Sequence, residues 1–198
     1  MPGSIKIDDG SGNYTILTNA GSLGSDKTIT IPNETATLAT TNGITEVDQW
    51  QLTANITATG DTDITANLAR PSGTLQGTYI GTGMTESSGI FTFPSTGKWI
   101  VQVFTYVTAV SGDGAGISII ATNDNFSSED VVSQAIIGKY GSGTKDASTG
   151  FCQTLIDVQN TSNDKIKFET ASVDSGTVIN GSSNTTLTSF VFMKLGET

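Results

Sequence analysis

Few residues of this 198-residue chain have the types and spacing that catalysis requires. It contains no His, which removes the commonest general base and the Ser-His-Asp and Cys-His arrangements. Its one Cys, Cys152, can form neither an intrachain disulfide nor a thiolate-rich zinc site, and we expect a small buried apolar residue there. Residues 141–145, Gly-Ser-Gly-Thr-Lys, lack the spacing of a phosphate-binding loop and a helical continuation. These features indicate neither nucleophilic nor phosphate chemistry.

Carboxylates are the remaining candidates for catalysis. The pairs Asp61/Asp63 and Glu129/Asp130 have the residue types that glycoside hydrolysis uses. No substrate-stacking aromatic residues accompany either pair in the sequence. We therefore predict that the protein is not an enzyme and needs no cofactor.

Two short segments offer oxygen ligands for a hard cation such as Ca²⁺. They are Asp-Thr-Asp at 61–63 and Asn-Asp-Asn at 123–125, and neither follows the spaced pattern of a Ca²⁺-binding loop. Asx side chains stabilise turns without a metal, so solvated turns are the simpler interpretation. In an oligomer, copies of one axial acid could share a Ca²⁺ ion, but no motif supports that site.

The composition limits the classes of partner. The formal net charge is −10, from 9 Lys+Arg and 19 Asp+Glu, so the chain has little with which to neutralise phosphates, and we predict no nucleic-acid binding. No apolar run approaches the length of a membrane span, and the N-terminal residues lack the basic and apolar segments of a secretory signal. Gly, Ser, Thr and Asn make up 89 of the 198 residues, which indicates a surface of hydroxyls and amides.

The chemistry-bearing residues lie in a chain with the pattern of an all-β protein. Gly, Thr and β-branched residues dominate, and Gly/Ser/Asn/Asp turns separate short apolar runs. Residues 49–198 predict one antiparallel sandwich or jelly roll, with its longest strand near 98–107 and its last near 187–195. Residues 1–48 contain only short alternating pieces and one aromatic residue, Tyr14, so they cannot build a core alone. We interpret them as a stem or attachment arm; a disordered leader is the alternative.

Two strands of the predicted sandwich are apolar on both faces. Near 98–107, Trp99 and its neighbours fill one face, while Phe104 and Tyr106 lie on the other. On the last strand we assign Phe190 and Phe192 to the outer face. A soluble monomer rarely exposes so large an apolar patch, so we predict a homo-oligomer with these four aromatic residues at its centre. Loops folding over the sheet are the alternative.

The second part resembles a known family. Residues 88–99, Ser-Gly-Ile-Phe-Thr-Phe-Pro-Ser-Thr-Gly-Lys-Trp, are similar to the segment opening the globular head domain of the first complement component, and residues 188–196 resemble its closing strand. The resemblance implies a ten-stranded jelly roll, shared with tumour-necrosis-factor-like ligands, that trimerises through aromatic-rich strands. No collagen-like repeat precedes this head.

The first part resembles a module of bacteriophage tail fibres and other virion proteins. The similarity lies in residues 5–17 and in residues 27–40, Lys-Thr-Ile-Thr-Ile-Pro-Asn-Glu-Thr-Ala-Thr-Leu-Ala-Thr. It implies a trimeric virion appendage that attaches to other virion proteins of the tail, portal vertex or capsid through its N-terminal region. The residues that we assign to attachment are Ile5, Ile7, Ile29, Ile31 and Leu38.

Stem and head together predict a fibre or spike on the virion surface, made in the host cytoplasm, whose head binds a host surface glycan. The candidate receptor-facing residues are Asp113, Asn123, Asp124, Asn125, Lys145, Asn180 and Asn184. A capsid decoration trimer that stabilises threefold positions of the phage head is the second hypothesis, because the chain is short for a tail fibre. A bacterial adhesin is a third.

Overall fold

The computed structural model describes residues 4–8, 11, 14–18, 43–57, 59–77, 79–110, 114–138 and 146–197. These residues form strands, turns and loops, with no helix among them. The chain divides into two compact units, Met1–Thr40 and Thr41–Thr198. The predicted all-β class is confirmed.

The first unit contains two described strands. They are β1 (Ser4–Asp8) and β2 (Tyr14–Thr18), which pair antiparallel with Ile5 opposite Leu17 and Ile7 opposite Thr15. The other predicted attachment residues, Ile29, Ile31 and Leu38, lie outside the described residues.

The second unit is a sandwich of two antiparallel sheets. The seven-stranded sheet has the order β12-β9-β15-β3-β5, with β14 beside β9 and β6 beside β3. Its strands are β3 (Val47–Leu52), β5 (Leu68–Ala69), β6 (Tyr79–Ile80), β9 (Gly97–Ala109), β12 (Asp146–Val158), β14 (Val178–Ile179) and β15 (Ser189–Gly196). The six-stranded sheet has the order β11-β10-β13-β8-β7, with β4 beside β13. Its strands are β4 (Gly60–Asp63), β7 (Thr85–Ser87), β8 (Ile90–Thr92), β10 (Gly114–Thr122), β11 (Asp130–Gly138) and β13 (Lys165–Val173).

The core lies between the two sheets and is rich in aromatic rings. Phe91 of the six-stranded sheet meets Trp50 and Phe192 of the other sheet, with ring centroids 5.2 and 5.1 Å apart. Phe168 packs against Phe190 at 4.2 Å. Aromatic pairs at such distances add to the free energy gained by burying each ring.

The strand β9 alternates strictly between buried and less buried residues along its whole length. Trp99, Val101, Val103 and Val107 point into the core, as predicted. Because side chains alternate across a strand, Ile100, Phe104 and Tyr106 lie on the opposite face. The fold therefore presents one face of the seven-stranded sheet away from the core.

Connections alternate between the two ends of the sandwich. Residues 43–46 enter at one end, beside the end of β15, where the amide of Lys194 donates to the carbonyl of Glu46 at 3.0 Å. The connections 123–129 and 159–164 lie at this entry end, where the amide of Asn125 donates to the carbonyl of Asn163. The connection between β13 and β14 lies at the opposite end, beside the last residues of β9.

The strand β3 already belongs to the sandwich, where it pairs with β15 from Val47 onward. The sandwich therefore begins a few residues before the predicted boundary between 48 and 49. That residues 1–48 form an attachment arm and residues 49–198 a head stays a prediction.

Candidate subunit interface

The outer face of the seven-stranded sheet carries rows of apolar and amide side chains. The strands β12 and β9 are neighbours, and their register places three pairs of side chains opposite one another: Phe151 and Phe104, Gln153 and Gln102, and Leu155 and Ile100. The same rows continue onto β15 and β3, where Ile100 faces Met193 and Met193 faces Val47. We call this surface the outer face; its members are Val47, Gln49, Ile100, Gln102, Phe104, Tyr106, Phe151, Gln153, Leu155, Val191 and Met193.

The largest apolar groups of the outer face remain in contact with solvent in a single chain. Phe104 is 43% exposed, Phe151 54% and Leu155 59%. Phe104 and Phe151 are direct cross-strand partners, so their side chains are neighbours on this face. Between this pair and Leu155, Gln102 donates a hydrogen bond to Gln153 at 3.1 Å. Neighbouring exposed apolar side chains of this kind make the outer face a candidate contact surface.

The predicted position of Phe190 and Phe192 is wrong. Both side chains are fully buried in the core of one chain, against Phe168 and Phe91. The strand β15 has large apolar residues on both faces, and the space between the sheets is filled by the two rings. Val191 and Met193 therefore take the outer face that we had assigned to the phenylalanines.

Phe104 and Tyr106 remain on the outer face, as predicted. The outer face also includes residues that were not identified from the sequence. Phe151 and Leu155 lie on β12, and neither is among the predicted interface residues. The signal that could have found them is the apolar alternation of Phe151, Gln153 and Leu155, but it needs the register to β9 to become one surface with Phe104.

A shallow groove extends the outer face toward β6. It has a volume of about 190 Å³ and is lined by Val47, Gln49, Gly77, Tyr79, Ile80 and Val191. The guanidinium of Arg70 lies between the rings of Trp50 and Tyr79, 4.6 and 4.7 Å from their centroids. This stacking holds the Tyr79 wall of the groove in place.

A buried carboxylate fixes the strand that carries this groove. Asp48 is 1% exposed and accepts hydrogen bonds from the Trp50 indole at 2.9 Å, from Arg70 at 2.9 and 2.7 Å, and from the Met84 amide at 2.6 Å. The hydrogen bond to Asp48 raises the pKa of Arg70. A buried charge this well satisfied ties β3 to two loops and acts as a structural group.

The predicted receptor-facing residues do not form one cluster. Asn123, Asp124 and Asn125 lie at the entry end, on the β10–β11 connection. Asn180 and Asn184 lie at the opposite end, after β14, where the Asn180 amide donates to Thr108 Oγ1 at 2.9 Å. Asp113 and Lys145 lie outside the described residues.

The predicted cation segments have other partners. Asp63 lies in β4, and both its oxygens are 3.0 Å from Lys167 Nζ. Asp124 accepts hydrogen bonds from the Ser128 hydroxyl and amide and from Thr122, which lower its pKa to about 2. Within the part of the chain that the structure describes, no group of three His, Cys, Asp or Glu is placed to hold a metal ion.

Cys152, which carries the single thiol, is buried, as predicted for a small apolar residue. Cys152 contacts the carbonyl of Ile117 at 3.8 Å, and burial raises the pKa of its thiol. None of the described residues forms a helix long and apolar enough to cross a membrane.

Solved structures show what the sandwich resembles. Eiger TNF from S. frugiperda matches with a TM-score of 0.60 at 13% identity, over 77% of this chain and 93% of that chain. Two structures of murine APRIL, at pH 8.5 and pH 8.0, each match with a TM-score of 0.53 at 12% identity, over 76% of this chain and 98% of theirs. The second unit therefore has the jelly-roll fold of tumour-necrosis-factor-like proteins, and this predicted fold is confirmed.

The same comparisons give no closer relationship at the level of sequence. No family model matches the chain, and no curated protein matches it.

Proposed function

We propose that the chain forms a homotrimer through its outer face. The observation that carries this proposal is the exposed pair Phe104 and Phe151 with Leu155 beside it, because burying these groups between copies removes apolar surface that the seven-stranded sheet leaves in water. The similarity to tumour-necrosis-factor-like folds supports this assembly.

A second apolar surface supports a closed ring rather than a symmetric dimer. The neighbouring strand β11 exposes Val131 and Ile136, and it meets β12 where Ser133 donates to the Gln153 carbonyl at 3.1 Å. This edge differs in position and composition from the outer face around Val47 and Met193. Contacts between two unlike patches of identical chains are heterologous, and they form a ring where the rotation between neighbouring copies closes.

We propose that the trimer is a non-enzymatic virion structural protein. Its N-terminal region would attach it to other virion proteins, and its head would bind a host surface glycan. The support comes from the resemblance of residues 5–17 and 27–40 to segments of phage tail fibres, from the absence of His in the sequence, and from a composition rich in hydroxyl and amide side chains. Three heads acting together would turn weak single contacts into useful affinity.

Two measurements test this proposal. Light scattering should give a solution mass of three 20.5 kDa chains; a folded species with the mass of one chain would refute the trimer. Quantitative mass spectrometry of particles should find a few to tens of copies per virion. Hundreds of copies would instead support the capsid decoration role, and absence from particles would refute both virion roles.

A further inference from the structure

A cavity on the six-stranded sheet has the features of a small-ligand site. It has a volume of about 260 Å³ and opens on the side of this sheet that faces away from the core. Ligand pockets for drug-sized molecules occupy roughly 300–1,000 Å³, so this one suits a smaller guest, about the size of a single sugar ring. Its lining residues are Asp63, Ile64, Thr65, Ser88, Gly89, Ile90, Phe126, Glu129 and Lys167.

One wall of the cavity is an aromatic ring in an unusual backbone conformation. Phe126 has a φ of 64°, and Asn125 before it has a φ of 59°. This left-handed region is rare for a bulky residue and suits Gly or Asn far better. Residues kept in sparsely populated backbone regions cluster at ligand sites. The conformation of Phe126 is thus a feature that this loop shares with ligand sites.

The loop that carries Phe126 is held by its own hydrogen bonds. The Phe126 amide donates to Thr122 Oγ1 at 3.0 Å, and Asp124 accepts from the Ser128 amide at 2.9 Å and from its hydroxyl at 2.6 Å. The ring is thus presented by an ordered loop, and little conformational entropy remains to be lost when a ligand packs on it.

The opposite wall is equally constrained. Ser88 has a φ of 52°, and a side chain at Gly89 would collide with the carbonyl oxygen of Ile64. The Gly89 amide also donates to Glu86 at 2.7 Å. The two walls therefore belong to fixed turns of the sandwich.

Between the walls lies a fixed set of hydrogen-bonding groups. The Lys167 ammonium lies 3.0 Å from Asp63, 2.7 Å from Glu129 and 5.3 Å from the centroid of the Phe126 ring. Lys167 is largely buried, whereas both carboxylates remain nearly half exposed and can accept further hydrogen bonds. The cavity thus presents two acceptors and one donor beside an apolar ring face.

The charge of the cavity selects against anions. Lys167 is outnumbered by Asp63 and Glu129, and Glu169 lies beside them with a pKa raised by its burial and by the neighbouring Asp63 and Asp61 charges. An anionic sugar would meet this excess of negative charge, whereas hydroxyl groups can donate to it. The lysine already occupies the place between the carboxylates that a ligand cation would take.

We propose that this cavity binds one neutral sugar ring of a glycan. An apolar face of the ring packs on Phe126, its hydroxyls donate to Glu129 and Asp63, and Lys167 donates to a ring or hydroxyl oxygen. The site rests on the proposed attachment function and gives it a location and a ligand class. The cavity opens on the six-stranded sheet, so burial of the outer face of the other sheet does not by itself close it.

The test is a titration of the isotope-labelled full-length protein with methyl glycosides of glucose, galactose, mannose and N-acetylglucosamine, followed by ¹H–¹⁵N NMR. At least one glycoside should shift the amide signals of Phe126 and Gly89. Phe126→Asn removes the ring while suiting the positive φ, and Glu129→Gln removes one charged acceptor; each should weaken binding about tenfold or more, a loss of about 1.4 kcal/mol. Leu75→Asn, at a fully exposed leucine outside the cavity, is the matched control and should bind as the unchanged protein does.

The outcomes separate this site from the function on which it rests. No shift with any glycoside, or unchanged affinity in Phe126→Asn, overturns the cavity as the sugar site. Shifts confined to the loop around Asn184 also overturn it but keep glycan binding. The mass of the same samples is measured in parallel: a monomer that binds sugar at Phe126 keeps the site and refutes the trimer.

Discussion

Replacing Phe104 by Asp places a charge at the centre of the outer face. Phe104 is 43% exposed in the single chain and Phe151 54%. With about 200 Å² per phenylalanine side chain, on the order of 200 Å² of ring surface per chain stays in water without a partner. At roughly 25 cal/mol per Å², burying it contributes about 5 kcal/mol per chain.

The substitution removes about 2 kcal/mol of that burial per chain. It also requires the desolvation of a carboxylate, which costs several kcal/mol more. Over three chains the lost burial alone lowers the association constant more than about ten-thousandfold. The monomer should tolerate the change, because exposed substitutions usually alter folding stability by no more than about 0.5 kcal/mol.

Light scattering coupled to size exclusion measures the result directly. The unchanged protein should have a mass of three times 20.5 kDa, 61.5 kDa, and Phe104→Asp should run as a folded 20.5 kDa chain with an unaltered β-sheet circular dichroism spectrum. Thr85→Asp, an exposed strand position on the other sheet, is the control and should remain trimeric. A normal trimer in Phe104→Asp would refute the assignment of this face to the subunit contact.

Three further predictions follow from groups inside one chain. Phe192→Ala should lower the free energy of unfolding by about 3–5 kcal/mol in urea titrations, because it empties a core position, whereas Met193→Ala on the outer face should cost less. Asp48→Ala should lower the free energy of unfolding by about 3–5 kcal/mol in the same assay, since it leaves the Arg70 charge without its partner; a loss below 1 kcal/mol would contradict this structural role. Carboxyl NMR should give Asp124 a pKa of about 2, well below its usual 3.8, so its stabilising contribution is full above about pH 4 and is lost as the pH falls through about 2. A midpoint near the usual value would show that the Ser128 and Thr122 hydrogen bonds do not persist in solution.

The sequence predicted the fold well where periodicity and length agree. The strand near 98–107 has thirteen residues in the structure, and the face with Trp99 is buried as predicted. The turn residues Asn123, Asp124 and Asn125 were equally informative, since Asx side chains stabilise turns through local hydrogen bonds.

The faces of β15 could not be assigned from the sequence because both are apolar. Phe190 and Phe192 alternate with Val191 and Met193, and a period of two says only that the two sets lie on opposite sides. Which set is inside depends on the volume left by Phe91 and Phe168 on the other sheet. That volume follows from tertiary packing, which no local pattern contains.

The cavity at Phe126 could not be predicted from the sequence for a similar reason. The sequence marks 123–125 as a turn but gives no sign that the next residue holds a positive φ or that its ring faces Lys167. Asp63 and Glu129 are far apart in sequence and meet only because β4 and the 123–129 connection both lie against β13. The chain neighbours of these two acids, Asp61 and Asp130, give no sign of the lysine that the two acids share.

The pairing of β3 with β15 determines how the sandwich responds to mechanical load. The first residue of β3, Val47, lies opposite Met193 in β15. Tension applied between these two strand ends breaks the paired positions one after another and separates the strands. Tension between residue 43 and a point at the opposite end of the sandwich, such as the loop around Asn184, instead runs lengthwise along β3, and all five paired positions from Val47 to Gln51 resist it together. A tether that pulls from the entry end against a contact at the opposite end therefore loads the sandwich in its stronger direction.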